Sequence, residues 1–239
     1  MNEIYFDCVK KVHCHECTNK DNSLFTNLSD ANREKMNNAK VHCMYKKGEI
    51  IFKEGSFPTG LICLNEGKVK IFKEGIGGKE QIIRLARPIE LIGYRAMFAN
   101  GNYNASAIAL ENSTICHIDK NTVLEVIKED PDLALKIIKR LALELGESKT
   151  RLVNLTQKHV RGRLAEALLI LYQRYGINQD NGFLDINISR DDLANLSNMT
   201  TSNASRTLSQ FIDEKIIVTQ GKYIQIVNLE KLKQISSIG

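Results

Sequence analysis

From Val41 to about Asp119 the chain is written in short apolar runs: Glu49-Ile-Ile-Phe, Gly60-Leu-Ile-Cys-Leu, Lys68-Val-Lys-Ile-Phe, Gln81-Ile-Ile-Arg-Leu, Ala105-Ser-Ala-Ile-Ala-Leu and Ser113-Thr-Ile-Cys-His-Ile. Lys47-Gly48, Glu54-Gly55-Ser56, Asn65-Glu66-Gly67 and Gly75-Ile-Gly-Gly78 punctuate them. Alternating apolar residues bury one face of a strand, and glycine supplies the backbone freedom of the turns between. Short strands at this even spacing predict an all-β roll of the jelly-roll kind, an architecture that often encloses a ligand.

After Pro131-Asp132 the period changes. Ile138, Leu141, Leu145, Ser148, Leu152, Leu155 and His159 recur at alternating steps of three and four, a heptad seam with a polar break at Ser148. Two readings stand side by side: a coiled coil between two copies of the chain, or one amphipathic helix packed on its own roll. The helix is too long for one small roll to cover, which favours the dimer through Ile138, Leu141, Leu145, Leu152 and Leu155. The next helix, from Val160, is apolar around much of its circumference, as befits the core of a second domain. Gly182-Phe-Leu-Asp-Ile-Asn-Ile reads as a strand.

Leu193, Ala194 and Leu196, then Ala204, Leu208, Phe211 and Ile212, mark the apolar faces of two short helices on either side of Ser197-Asn198-Met199. Small Ala194 and Ala204 let the helices approach, and Asn198 stands at the turn position where glycine is usual, because Asn tolerates a left-handed backbone. The apolar pattern of residues 216–227 predicts two strands joined at Gln220-Gly221. This is a winged helix-turn-helix, although helix pairs with a hairpin also occur in small helical domains whose polar face is only solvated. The outward Thr201, Ser202, Asn203, Ser205 and Arg206, with Lys222 on the hairpin, are hydrogen-bonding types suited to base edges and phosphates of double-stranded DNA.

The fold class is therefore α+β. It comprises a Cys/His-rich leader (1–24), a β-roll sensor (25–128), a dimerisation helix (129–158) and a winged helix-turn-helix (159–239). Composition adds bounds. With 239 residues, 43% hydrophobic and 26% charged, the chain can bury cores, and its net charge of +5 suits a polyanionic partner without requiring one. No run is long enough to span a membrane, and Met1-Asn-Glu-Ile-Tyr-Phe-Asp has no secretory-signal pattern, so a cytoplasmic address is expected. In a reducing compartment the six cysteines are free thiols, metal ligands or a redox device. A cupin-like roll enzyme would need His and Glu ligands on the roll strands, yet only His42 and His117 fall there. No enzymatic activity is expected.

In its order of roll, long helix and winged helix-turn-helix, the chain resembles the Crp/Fnr family of bacterial transcription regulators. The resemblance is carried by Gly48-Glu-Ile-Ile-Phe-Lys-Glu-Gly55, Leu64-Asn-Glu-Gly-Lys-Val and His159-Val-Arg-Gly-Arg-Leu-Ala-Glu-Ala-Leu-Leu, and it covers about Cys14 to Leu232. It implies a homodimer on pseudo-palindromic half-sites about 34 Å apart, with RNA polymerase as a further partner. Arg206 matches the family's recognition Arg, which would reach guanine O6 and N7, and Ser205 matches the Ser before it in the Fnr branch. Ser202 stands where well-known members carry a Glu, so their half-site sequence does not carry over.

In the cyclic-nucleotide branch the resemblance implies a Gly-Glu-Leu segment and a phosphate-binding Arg. Here the matching stretches are Gly93-Tyr-Arg-Ala-Met-Phe and Asn104-Ala-Ser-Ala: the Glu is missing, and Asn104 or Ala105 occupies the Arg position. Cyclic AMP is not expected, and Arg95 is either an exposed loop residue or a site for another anion. In the Fnr branch three leader cysteines and one roll cysteine hold an iron-sulfur cluster. Cys14 and Cys17 resemble the leader's first pair and Cys116 the roll cysteine, while Ser23 takes the approximate place of the third. Cys8 lies upstream at a spacing foreign to the family. Four thiolates from Cys8, Cys14, Cys17 and Cys116 would suffice for a cluster. A zinc site completed by His13 or His15, and ordinary buried thiols, remain open alternatives, so the effector is left unassigned.

Overall fold

The computed structural model describes residues 24, 25 and 27–239, which divide into two compact units. The first comprises its described residues up to Lys73 together with Ile83–Leu145; the second comprises Glu74–Ile82 and Gly146–Gly239.

The first unit is a roll of two four-stranded sheets. One has the order β1 (Lys40–Tyr45), β8 (Ser113–Asp119), β3 (Gly60–Glu66), β6 (Leu91–Ile92); the other runs β2 (Ile50–Phe52), β7 (Ser106–Ala109), β4 (Val69–Glu74), β5 (Glu80–Ala86). Strand β5 continues the chain across the unit boundary. The registers that can be followed are antiparallel, as expected for strands joined by tight turns. Cys43, Ile115 and Leu64 stand in one cross-strand row and point into the roll, where Tyr45, Phe52, Ile62, Val69, Ile92 and Tyr103 join them in one apolar core. Gly93 is required at its position: its φ is +69°, and a Cβ would come within 2.5 Å of the Tyr103 ring.

The opposite face of the first sheet carries a second core. Leu61 and Ile118 meet Leu28 and Met36 beside α1 (Asp30–Asn38), Tyr94 and Met97 of α2 (Tyr94–Phe98), and Val123 and Val126 of α3 (Lys120–Glu129). Leu133 and Ile137 of the long helix α4 (Pro131–Gln157) complete it. Helix α1 starts where Ser29 accepts the Asn32 N–H, and α4 where Asp130 accepts the Leu133 N–H ahead of a proline in the first turn.

Between β5, the β6 turn and α4 lies a charged cluster. Arg84 reaches Glu90 at 2.7 Å and Glu144 at 2.9 Å, and Arg140 reaches the same two carboxylates at 3.4 and 3.0 Å. Burial and the Glu144 carboxylate push the pKa of the adjacent Tyr94 hydroxyl up, so it stays protonated. The side chains of Arg84, Glu90 and Glu144 are only 10–16% exposed. Removing one partner therefore strands charge in a poorly solvated place. Arg84→Ala is expected to cost about 3 kcal/mol, at the low end for a buried pair because Arg140 remains. Calorimetric unfolding checks this, and an unchanged transition temperature would show the cluster to be solvated decoration.

The second unit contains α5 (Val160–Tyr175), α6 (Arg190–Leu196), α7 (Thr201–Asp213), the hairpin β9 (Ile217–Gln220) and β10 (Tyr223–Ile226), and α8 (Leu229–Ile238). Residues 182–188 do not form the expected strand. Leu184 makes an isolated bridge to Ile177 and its N–H bonds to Ile224, while Gly182 at φ +73° breaks the extended run. Ladder pairing needs a continuous partner edge, which this turn does not supply. Along α4 the apolar stripe also differs from the seam. Leu141 turns half-inward onto the second roll core, four and eight residues after Ile137 and Leu133, and Leu155 is half-buried. Ile138, Leu145 and Leu152, each seven apart, remain 58–64% exposed, accompanied by Leu135 and Ala142.

Within the second unit, Glu166 on α5 accepts from Lys158 at 2.6 Å and from Ser236 and Asn154. Burial pushes its carboxyl up, but those hydrogen bonds outweigh burial and hold it below the ordinary 4.5. A depressed carboxylate stabilises the fold above its unfolded pKa, and that stability is lost as pH falls below about 4.5. Glu166→Gln is expected to flatten the acid limb of a stability–pH profile there; an unaltered slope would discard Glu166 as a contributor.

Candidate DNA interface and sensor roll

Two N-caps set the helix-turn-helix. Ser189 accepts from the Asp192 N–H at the start of α6, and Thr200 accepts from the Asn203 N–H at the start of α7. The turn between them is closed by Ser197, whose hydroxyl donates to Leu193 O at 2.6 Å, and by Met199 N–H on Ala194 O. Asn198 takes φ +50°, the left-handed conformation its position demands. Ala204, Thr207, Leu208 and Phe211 bury one face of α7 against Leu193, Ala194 and Leu196 of α6 and the α5 core.

That burial leaves the other face of α7 to solvent. Thr201, Ser202, Ser205 and Arg206 are exposed, Asn203 is half-exposed, and Lys222 is exposed on the hairpin turn. Two side chains are already engaged: Thr201 donates to Asp191 at 2.6 Å, and Arg206 Nη2 donates to Asn203 Oδ1 at 2.7 Å. Asn203 thereby orients the guanidinium while leaving its remaining donors available. The C-terminal end of α7 is braced by Arg161, which bonds Glu214 at 2.7 Å and lies 4.9 Å over the Phe211 ring. The Glu214 carboxyl is held below its ordinary value, first by that Arg161 hydrogen bond.

Sequence reasoning missed three supporting residues. Arg190 spans from α6 to the hairpin turn, donating to Gly221 O. Gln81 donates to Asn195 O at 2.7 Å, and Arg151 donates to Ile82 O at 2.7 Å and to Leu196 O at 3.1 Å, satisfying carbonyls at the C-terminal end of α6. Burial, with Arg174 nearby, pushes the Arg151 pKa down to about 10, so it stays charged. The only signal in the sequence was an arginine on a helix otherwise read for its apolar seam.

In the roll, the Phe52 and Tyr103 rings stack at 4.0 Å, and burial pushes the Tyr103 hydroxyl up to about 12. Next to Tyr103, Asn104 O accepts from Lys73, whose ammonium is also held by Glu54 at 2.7 Å. Arg95 is exposed on α2. Cys116 lies on β8, buried, with its Sγ 3.7 Å from His42 Nε2 on β1. Cys8, Cys14 and Cys17, with His13, His15 and Ser23, lie outside the described residues. Among the described residues no group of three His, Cys, Asp or Glu side chains is placed to hold a metal ion, and no helix is long and apolar enough to cross a membrane.

Residues 43–130 match the cyclic nucleotide-binding domain, and residues 162–235 match the Crp-like helix-turn-helix domain. The chain is 26% identical to the anaerobic regulatory protein of Aggregatibacter actinomycetemcomitans, over 94% of this chain and 88% of that one. It is 26% identical to the CRP-like cAMP-activated global transcriptional regulator of Mycobacterium tuberculosis, over 79% of this chain and 84% of that one. Its fold superposes on FixK2 from Bradyrhizobium japonicum with a TM-score of 0.73 at 23% identity, covering 82% of this chain and 96% of that one. With a roll of the cyclic-nucleotide-binding type and a Crp-like helix-turn-helix in one order along one chain, the protein belongs to the Crp/Fnr family of DNA-binding transcriptional regulators.

Proposed function

We propose that this regulator acts as a homodimer that reads a pseudo-palindromic site in double-stranded DNA with its two α7 helices. The observation that carries the reading is the solvent face of α7, where Ser202, Ser205 and Arg206 stand free of the helix's own packing. Arg206 is the base-reading group: a planar fork matches guanine O6 and N7 in the major groove. Thr201, Asn203 and Lys222 position it and contact phosphates. The second copy covers Ile138, Leu145 and Leu152, because a heptad-spaced apolar stripe is satisfied by a second helix carrying the same stripe. RNA polymerase is the further partner that the family implies, and the compartment is the cytoplasm.

The signal enters at the roll. Cyclic AMP, which activates the mycobacterial relative by its name, is not our reading here: the expected phosphate Arg is replaced by Asn104 or Ala105, beside a stacked Phe52–Tyr103 pair. The reading instead is a thiolate centre joining Cys116 to leader cysteines from the set Cys8, Cys14 and Cys17. An iron-sulfur cluster is one form of such a centre.

The test is selection of bound duplexes from a random pool by the full chain, followed by titration of the selected site and of random duplex at matched salt. A two-fold-symmetric site bound at least about 1,000-fold more tightly is expected. Equal affinity for both duplexes would leave only phosphate attraction and defeat the proposal.

A further inference from the structure

An α-helix leaves its last four carbonyls without partners of its own, and in α6 these run from Leu193 O to Leu196 O. The turn to α7 takes the first two: the Ser197 N–H and hydroxyl donate to Leu193 O, and the Met199 N–H donates to Ala194 O. The last two are reached from distant parts of the chain. Gln81 Nε2, near the start of β5, donates to Asn195 O at 2.7 Å, and Arg151 Nη2, on α4, donates to Leu196 O at 3.1 Å.

The two donors also share an acceptor. Ile82 O receives Gln81 Nε2 at 3.2 Å and Arg151 Nη2 at 2.7 Å, so one nitrogen of each side chain bridges β5 to the end of α6. Both partners of Gln81 are carbonyl oxygens, which requires its amide to present nitrogen rather than oxygen. The Arg151 cation also suits the negative end of the α6 dipole. All of these residues belong to the second unit, and each donor lies on a segment that continues covalently into the first, β5 from Ile83 and α4 through Leu145.

This splint stands directly before the helix assigned to reading DNA. Leu196 is followed by the turn at Ser197-Asn198-Met199, whose hydrogen bonds refer back to α6, and Thr200 then caps α7. The last turn of α6 therefore sets the direction of α7. Arg206 lies about 7.5 Å along the axis from Thr201 at 1.5 Å per residue, so a tilt of about 10° at the turn would displace it by about 1.3 Å. A recognition contact tolerates about 0.5 Å. Carbonyls deprived of their donors turn to water, and the last turn frays.

We infer that Gln81 and Arg151 are positioning residues for DNA reading: by holding the last two carbonyls of α6 against Ile82 O of β5, they fix the direction in which the turn delivers α7 and hence the reach of Arg206. Both act through α6, not on the bases. The inference rests on the reading of α7 given above and adds the residues that aim it.

The test uses the full chain, with anisotropy on the selected and random duplexes at matched salt and at a temperature where calorimetry shows every variant folded. Gln81→Ala leaves both Arg151 bonds in place and is expected to weaken binding to the selected site by at least about 5-fold, within the range of couplings in one hydrogen-bond network. Random duplex should be bound as before, since phosphate contacts set that affinity. Arg151→Met keeps the apolar stem but loses the donors and is expected to cost more, while Arg151→Lys, which keeps charge and donors, should recover most of the loss. Gln81→Ala carries the decision if Arg151→Met does not fold. The same Gln81→Ala change is then made in an Arg206→Ala background, where it should cost less than about 2-fold because the group it aims is gone. Equal losses in the two backgrounds, an equal loss on random duplex, or a selected-site affinity unmoved by Gln81→Ala would each overturn the inference. If Arg206→Ala itself leaves the selected site fully bound, the reading of α7 falls and the splint with it; if Arg206→Ala is costly and Gln81→Ala silent, only the splint falls.

Discussion

Arg206→Ala is expected to weaken binding to the selected DNA site by at least about 30-fold while leaving the fold intact. The side chain is exposed, and its hydrogen bond within α7 is to Asn203, so little folding energy depends on it. Its contribution at the groove is larger. A bidentate Arg–guanine pair is worth about 1–3 kcal/mol of discrimination, and a dimer carries two, so the selected site should lose at least about 30-fold in affinity. Binding to random duplex should change little, because it is set by phosphate contacts elsewhere. Arg206→Lys should fare nearly as badly: the charge remains, but a point ammonium cannot make the forked contact. Asn203→Ala should show a smaller loss, since it removes only the orienting acceptor. Fluorescence anisotropy on the selected and random duplexes reads all four quantities. Wild-type affinity of Arg206→Ala for the selected site would mean that α7 is not the reading element.

If the chain pairs as proposed above, Leu145→Glu should leave it monomeric at micromolar concentration. Leu145 is 58% exposed in the single chain and lies midway between Ile138 and Leu152 on the stripe. In a symmetric pairing each copy brings the same residue to the seam, so one substitution places two carboxylates in an apolar contact. Without the second copy the two half-sites are bound separately. The loss of effective concentration should cost at least about 100-fold on the full site and nothing on a half-site. Sedimentation velocity checks the first statement and anisotropy the second. A Leu145→Glu protein that still sediments as a dimer would place the partner surface elsewhere. Leu141→Glu makes the contrast: that side chain is half-buried against the roll core, so its substitution should destabilise the roll as well.

Much of this architecture is written locally. The alternation of Gly60-Leu-Ile-Cys-Leu and Ser113-Thr-Ile-Cys-His-Ile sets which residues face the roll core, because side chains alternate with period two whatever the neighbours are. Ser29, Ser189, Thr200 and Asn198 likewise mark helix starts and the turn by chemistry confined to a few residues. The exposed face of α7 follows from the apolar positions on its other face. Where the outcome depends on a neighbour distant in sequence, the pattern is silent or misleads. Residues 182–188 have a strand's composition and no partner edge. Leu141 fits a heptad seam as well as any leucine, yet lies over the roll because Leu133 and Ile137 fix the orientation of the helix face. Arg151 on a seam helix gives no sign of the two backbone carbonyls it satisfies 45 and 69 residues away. Nor does His42 reveal Cys116, 74 residues later, until β1 and β8 pair and place the two opposite each other. The sequence by itself determined most of the elements, their order and the solvent-exposed face of α7, since these follow from short-range periodicity and capping. Strand register and helix rotation were decided only by the tertiary structure, because each is the outcome of long-range packing, and with them which thiol stands beside which imidazole.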